Sequence, residues 1–282
     1  MLSVLAHRTY RHLFLAQVIA LVGTGLATVA LGLLAYEIAG ADAGAVLGTA
    51  LAIKMVAYIG VAPVVGAYAD RLPRKGLLVA MDLLRAGAAL TLPFVDAVWQ
   101  VYLLIFLLQS ASAAFTPTFQ ATIPDILPDE EEYTRALSLS RLAYDLESLL
   151  SPILAAALLT VISFHWLFAG TAIGFAISAL LVVTAALPHR KDAPAIVESV
   201  WRKTTRGARI YLKTPRLLGL LAVTLTAAAG SAMVIVNTVV IVKGMGRSQG
   251  DVALALAAYG GGSMLAALAL PRVLQHIADR TV

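Results

Sequence analysis

Several ionisable side chains lie inside long apolar stretches of this sequence, where contact with water does not explain them. Lys54 is near the middle of 45–69, and Asp82 and Arg85 are three residues apart within 76–95. Charge in such surroundings is costly, so each residue is a functional candidate. Lys54 could attract an anionic substrate or titrate, or it could face water or a structural partner. For Asp82 and Arg85 we expect an ion pair near the cytoplasmic end, in contact with 66–75; proton carriage by Asp82 is the alternative.

The stretch 137–161 contains three further ionisable candidates, Arg141, Asp145 and Glu147. Arg141 and Asp145 are one helical turn apart, which indicates a structural ion pair. Glu147 falls on another face and is the better candidate for protonation.

Uncharged polar residues in the apolar stretches provide a second set of candidates. Gln17, Gln109 and Asn237 could line a cavity and contact a substrate. A hydrogen bond between two helices is the alternative for such residues. Tyr58 lies near an expected helix end, where tyrosine commonly anchors a helix at the membrane surface.

Composition indicates that these residues lie in a lipid bilayer. The 282 residues are 60% hydrophobic and 13% charged, whereas a globular domain carries about 25% charged residues. The mean hydropathy is +0.86. Apolar segments long enough to cross a bilayer lie near 13–37, 45–69, 76–95, 100–123, 137–161, 165–187, 216–242 and 252–271. The sequence therefore predicts a multi-pass helical protein.

Basic residues are distributed unevenly between the polar segments. Arg8, Arg11 and the stretch 190–216 fall on one side of the predicted spans, and Lys243 and Arg247 on the other. Positive charge accumulates on cytoplasmic loops, so we expect a cytoplasmic N-terminus and no nucleic-acid partner. The basic stretch could be an amphipathic helix at the anionic leaflet, a plain linker, or both.

Motifs for catalysis and cofactor binding are missing from the sequence. It contains no cysteine, which excludes disulfides and thiolate metal sites. We find no glycine-rich phosphate loop, no Ser-His-Asp arrangement and no metal-binding helix. We therefore expect no enzyme activity, no cofactor and no metal.

The segment GAYADRLPRK at 66–75 is similar to the loop between the second and third spans of the major facilitator superfamily. The matching residues are Gly66, Asp70, Arg71, Arg74 and Lys75. The resemblance implies that this loop is a cytoplasmic gate latch. Physically, Gly66 would let two helices approach closely and Asp70 would face a helix N-terminus.

Other segments resemble a branch of that family that exports drugs, macrolides and siderophores. They are YRHLFLAQVIALVGTGL at the first span and FTPTFQATIPDILPDEEEYTRALSL after the fourth. Ser151 and Pro152 lie where drug:proton antiporters have a bend in the fifth span.

The resemblance implies an all-α membrane protein with a major facilitator-type helical bundle. We expect a complete six-span N-terminal half at 1–188, a basic cytoplasmic loop at 189–215 and two spans of a second half at 216–282. Because the family usually has twelve spans and HIADRTV repeats the Ala-Asp-Arg of 69–71, we expect a longer parent protein.

The resemblance further implies a secondary transporter in the plasma membrane that exports amphipathic small molecules, with protons as the coupling ion. The sequence leaves open an importer or facilitator of the same fold and an inactive fragment. A membrane-embedded lipid-handling enzyme is the alternative from a different class.

Overall fold

The computed structural model describes residues 2–68, 73–187 and 209–274. Side chains are described for most of these residues, but not for Leu2, Ala67, Tyr68, Leu149, Met264 and 266–274. Within these ranges the regular structure is helical, without strands. The long helices are α1 (Arg8–Ala39), α2 (Ala43–Tyr68), α3 (Arg74–Thr91), α4 (Val98–Ile126), α5 (Glu130–Leu158), α6 (Phe164–Thr184), α7 (Pro215–Gly244) and α8 (Gln249–Leu274).

Each predicted span coincides with one of these helices, so the prediction of an all-α membrane fold is confirmed. By length and hydropathy alone, five helical segments of the described ranges could cross a membrane: Arg8–Gly66, Arg74–Phe94, Val98–Ile126, Phe164–Thr184 and Pro215–Gly244. Helices α1 and α2 together form the first segment, and α5 carries the charged residues noted above.

Helix ends follow local sequence signals. Gly40 ends α1 with a positive φ of 55°, a conformation that glycine adopts without strain. Asp129 caps α5, since its carboxylate accepts hydrogen bonds from the backbone N–H groups of Glu131 and Glu132, both at 3.0 Å. The acidic residues 130–132 lie in the first turn of α5, where their negative charges interact favourably with the positive end of the helix dipole.

Helix α1 is at the centre of the described bundle and packs closely along α6. A Cβ atom at Gly23 would lie 3.2 Å from the backbone oxygen of Thr171. The Thr171 hydroxyl donates a 2.7 Å hydrogen bond to the Gly23 carbonyl. Small residues and a hydroxyl donor thus bring the two backbones together, as is typical of helices packed in a membrane.

The remaining helices surround this pair. Helix α3 packs on α4 and α6, and α2 packs on α4. Helix α7 contacts α2, and α8 contacts α5. Apolar side chains of α1, α2, α4, α5, α6, α7 and α8 form one core cluster, and a second cluster around Tyr10 and Phe119 lies near the N-terminal end of α1.

The basic stretch between α6 and α7 lies largely outside the described residues. Only 209–214 of it is described, with 209–213 helical. The amphipathic helix and the proposed boundaries at 188 and 215 therefore stay predictions.

Candidate functional site

Two cavities among the described residues share Lys54 and Glu147, and the larger of them lies where α1, α2 and α5 meet α7 and α8. Its volume is about 350 Å³. Its wall contains both hydroxyl groups and apolar side chains. The lining residues are Thr24, Gly25, Thr28, Val29, Lys54, Glu147, Ser148, Pro152, Ile235, Leu256, Tyr259, Gly260 and Ser263. Such a mixed lining suits an amphipathic molecule.

The smaller cavity lies among the first five helices. Its volume is about 140 Å³. It has more nitrogen-bearing side chains than the larger cavity and the same number of hydroxyl groups. Its lining residues are Gln17, Ala20, Leu21, Thr24, Lys54, Tyr58, Arg85, Gln109, Ser112, Phe115, Thr116, Tyr144 and Glu147.

Lys54 and Glu147 line both cavities and so stand at their junction. Both side chains are half-buried, Lys54 on α2 and Glu147 on α5. Their side chains are not within the 4.0 Å of a direct ion pair, but both lie on the walls of the same two cavities. The structure thus places a carboxylate in the surroundings of Lys54 that the sequence could not identify. It brings together two groups of opposite charge from different helices at the entrance to a polar cavity.

Gly25 of α1 lies against α5 beside Glu147, and the sequence analysis did not identify it as part of the site. A Cβ atom at residue 25 would overlap the side chain of Ser151 and lie 2.6 Å from Oε1 of Glu147. Glycine is therefore the residue that lets α5 approach α1 with Glu147 in this position. Ser151 is 1% exposed, and its hydroxyl has no hydrogen-bond partner among the described residues. Pro152 lies inside α5, which continues to Leu158, so the bend stays a prediction.

Asp82 and Arg85 form the expected ion pair, and both side chains are buried. The Ser178 hydroxyl of α6 donates a 2.8 Å hydrogen bond to Asp82. The guanidinium of Arg85 packs between the rings of Phe115 and Phe175, at 4.3 and 4.5 Å from their centroids. The pair lies midway along α3, and these contacts with α4 and α6 correct the expected position near the cytoplasmic end beside 66–75. Its partners are in the core because an arginine at this position points between the neighbouring helices.

The polar candidates separate into two groups. Gln17 is 4% exposed; it lines the smaller cavity and also accepts a 3.0 Å hydrogen bond from the Ser140 hydroxyl of α5. Gln109 lines the same cavity. Asn237 is exposed and donates to the backbone oxygen of Met233 on its own helix, so it lines neither cavity. A polar side chain on a span can form its hydrogen bond with the backbone of its own helix, and the sequence alone does not show which residues do so.

Two tyrosines were not assigned to the site by the sequence. Tyr58 lines the smaller cavity, which corrects its expected role as a surface anchor, and Tyr144 joins it there. Lys54 is one helical turn before Tyr58, so the shared face of α2 was the signal that could have identified it.

Arg141 and Asp145 form the expected pair on α5, at 3.3 Å. Their side chains are 78% and 59% exposed. Neither residue lines either of the two described cavities. The pair therefore lies on the outer side of α5, away from Glu147.

The basic residues of the 66–75 loop bind the ends of other helices. Arg74 forms an ion pair with Asp125 near the end of α4 and donates to the Ala121 carbonyl. The Lys75 ammonium donates a 3.0 Å hydrogen bond to the Ala185 carbonyl after α6. A Cβ at Gly66 would meet only Pro117, at 4.0 Å, so this position does not require glycine for close packing. Asp70 and Arg71 lie outside the described residues.

Comparison with known proteins identifies the family. The model of the Major Facilitator Superfamily matches residues 13–282. The chain belongs to this superfamily. That is a family of transporters and not of enzymes, which agrees with the expectation from the sequence.

The relatives in sequence include two efflux proteins. The chain is 26% identical over 188 residues to macrolide efflux protein A of Streptococcus pyogenes, a match of 62% of this chain and 46% of that protein. The protein of the same name from Enterococcus faecalis is also 26% identical over 188 residues, covering 63% and 58%. The match thus spans about half the length of these relatives.

Solved structures share the fold at low sequence identity. A mutant of the nucleoside transporter NupG aligns with a TM-score of 0.71 at 17% identity, over 95% of this chain and 68% of that one. A bacterial homolog of the human lysosomal transporter Spinster, in an inward-facing and unoccupied conformation, aligns with a TM-score of 0.70 at 15% identity. The alignment covers 96% of this chain and 64% of that one. These likenesses show that the chain has the fold of these transporters.

Proposed function

We propose that the protein is a secondary transporter that exports amphipathic small molecules across the plasma membrane in exchange for protons. The observation that carries the proposal is the Lys54–Glu147 pair at the junction of the two cavities. The names of the two relatives that are macrolide efflux proteins support export.

The position of the larger cavity supports an alternating-access mechanism. Its wall combines α1, α2 and α5 with α7 and α8. Rocking of the second group of helices against the first would open the cavity to one side of the membrane at a time. Val29, Ile235 and Leu256 would bind the apolar part of a substrate, and Thr24, Thr28 and Tyr259 its polar part.

Proton coupling is assigned to Glu147. Protonation removes the negative charge that Glu147 contributes to the cavity walls it shares with Lys54. In a cavity of low dielectric, this change in electrostatic energy favours a different arrangement of α2 and α5. Each proton taken up or released by Glu147 would therefore shift the balance between outward-open and inward-open states.

In the proposed orientation, Arg74 and Lys75 lie at the cytoplasmic face, with the N-terminus on the same side. Both residues bind the ends of α4 and α6 there. These contacts would hold α3, α4 and α6 as one body while α7 and α8 move.

The test compares Glu147→Gln with Asp145→Asn in inverted membrane vesicles energised by a proton gradient. We expect Glu147→Gln to reduce gradient-driven uptake of ethidium and radiolabelled erythromycin at least tenfold, because an amide cannot carry the proton. Asp145→Asn is the matched control on the same helix, since Asp145 is exposed and lines no cavity. Equal uptake by Glu147→Gln and the wild type would reject the role of Glu147. Uptake only into right-side-out vesicles would show that the protein imports these compounds and would reject the proposal of export.

A further inference from the structure

Ser151 of α5 carries a buried hydroxyl group without a hydrogen-bond partner among the described residues. The residue is 1% exposed. Other hydroxyl side chains of the spans donate to the carbonyl four residues earlier, as those of Thr24, Thr28 and Ser112 do. Because buried polar groups are nearly always paired, we expect the Ser151 hydroxyl to find an acceptor in another arrangement of its neighbours.

The carboxylate of Glu147 lies beside this hydroxyl. The two residues are four apart on α5 and so share one face of the helix. A Cβ atom at Gly25 would lie 2.2 Å from Oγ of Ser151 and 2.6 Å from Oε1 of Glu147, so both oxygens lie around the same point of α1. Ser151 lines neither described cavity, so its partner comes from the protein and not from a bound molecule. Rotation of the two side chains would bring the hydroxyl to the carboxylate.

We propose that Ser151 is a positioning residue for the proton site, whose hydroxyl donates a hydrogen bond to the Glu147 carboxylate when Glu147 is ionised. A carboxylate is a stronger acceptor than a neutral carboxyl group, so this bond favours the ionised form. In export coupled to proton entry, Glu147 must give its proton up on the cytoplasmic side, and the bond promotes that release. This inference rests on the proposed function, because Ser151 acts through Glu147.

The contact with α1 links this bond to the movement of helices. The Ser151 side chain lies against Gly25, so the room in which its hydroxyl can turn depends on how α1 packs on α5. Release of the proton would therefore depend on the packing of these two helices, which is what an alternating-access cycle requires.

Other charged and titratable groups share the cavities with Glu147. The Lys54 ammonium also favours an ionised carboxylate, whereas Arg85 is paired with Asp82. Helices α1, α4 and α7 contribute uncharged side chains to the cavity walls. The groups that could titrate with Glu147 or shift its charge are Lys54 and Tyr58 of α2, Arg85 of α3, Tyr144 of α5 and Tyr259 of α8.

The experiment follows the protonation of Glu147 by infrared difference spectroscopy on the purified protein in phosphatidylcholine nanodiscs. The carboxyl stretching band of Glu147 is identified by its loss in Glu147→Gln, and its height is measured as the pH is varied. For Ser151→Ala we expect the midpoint of this titration about one pH unit above that of the wild type, since a hydrogen bond to a charged group is lost. Ser138→Ala is the matched control on α5, because the Ser138 hydroxyl already donates to the Thr134 carbonyl.

Thermal unfolding separates this role from a packing role. At a pH low enough to keep the Glu147 band at full height, Ser151→Ala should unfold at the wild-type temperature, since the hydroxyl that it removes has no partner. A less stable Ser151→Ala at that pH would show that the hydroxyl stabilises the fold through another contact, and would overturn the proposal. An unchanged or lower midpoint, an equal shift in Ser138→Ala, or the absence of a titrating Glu147 band would also overturn it.

The outcome is separate from that of the transport test. A raised midpoint in Ser151→Ala, with a wild type that shows no gradient-driven transport, would refute the proposed function and keep the hydrogen bond. Gradient-driven transport by the wild type, with an unchanged midpoint in Ser151→Ala, would keep the function and refute the role of Ser151.

Discussion

Two sets of opposite charges in the described helices, Asp82 with Arg85 and Lys54 with Glu147, are built differently. Asp82 and Arg85 are on one helix, three residues apart and buried. Lys54 and Glu147 are on different helices, half-buried, and face cavities. The first pair has further partners in Ser178, Phe115 and Phe175.

The difference suggests that Asp82 and Arg85 stabilise the fold, whereas Lys54 and Glu147 are placed where a change in charge could alter the packing of two helices. Asp82 and Arg85 share one turn of α3, so the distance between their backbones does not depend on how the helices lie relative to one another. The distance between Lys54 and Glu147 depends on how α2 lies relative to α5. The second pair is therefore the one through which the proposed mechanism couples a change of charge to a movement of helices.

The largest expected effect comes from breaking the buried pair. Asp82→Ala leaves the Arg85 charge without its carboxylate, which should destabilise the fold by about 3–5 kcal/mol. We expect a clearly lower thermal unfolding midpoint in detergent for Asp82→Ala, and a small change for Glu147→Gln. The double change Asp82→Asn with Arg85→Gln should recover part of the loss, because both partners become neutral. Equal destabilisation by Asp82→Ala and Glu147→Gln would remove the contrast between the pairs.

An intermediate effect is expected at the contact between α1 and α5 that positions Glu147. Gly25→Ala inserts a methyl group against Ser151 and Glu147, and overpacking of this kind costs about 1–3 kcal/mol. Gly48→Ala is the matched control, since a Cβ there meets nothing within 4 Å. Thermal unfolding in detergent should show a loss for Gly25→Ala alone.

Adding Ser151→Gly to Gly25→Ala should restore much of that stability, because it removes the side chain that the new methyl group overlaps. The remaining contact is with the flexible end of Glu147. A double variant as unstable as Gly25→Ala alone would show that the loss comes from somewhere other than this contact.

The helices were predictable because apolar segments long enough to cross a membrane can be recognised in a single sequence. Their ends were less predictable. The fifth span was expected at 137–161, but α5 begins at Glu130, since Asp129 caps a charged first turn that extends beyond the apolar part. The third span was expected to reach 95, but α3 ends at Thr91 and a 3₁₀ turn containing Pro93 follows.

The site was only partly predictable, for a physical reason. The Asp82–Arg85 and Arg141–Asp145 pairs are three and four residues apart on one helix, so spacing reveals them. Lys54 and Glu147 meet through the packing of α2 and α5, and no periodicity in either segment specifies that packing. Gly25 is one of many glycines, and its importance depends on the residue across the interface.

The smallest expected effect is at the exposed pair on the outer side of α5. Arg141→Gln removes an ion pair whose side chains are 78% and 59% exposed, and such pairs contribute about 0–0.5 kcal/mol. We expect an unfolding midpoint within error of the wild type, in contrast with Asp82→Ala. A double-mutant cycle with Asp145→Asn should give a coupling energy close to zero. A large coupling would show that the surface around α5 is shielded from water and that exposure alone does not separate the two kinds of pair.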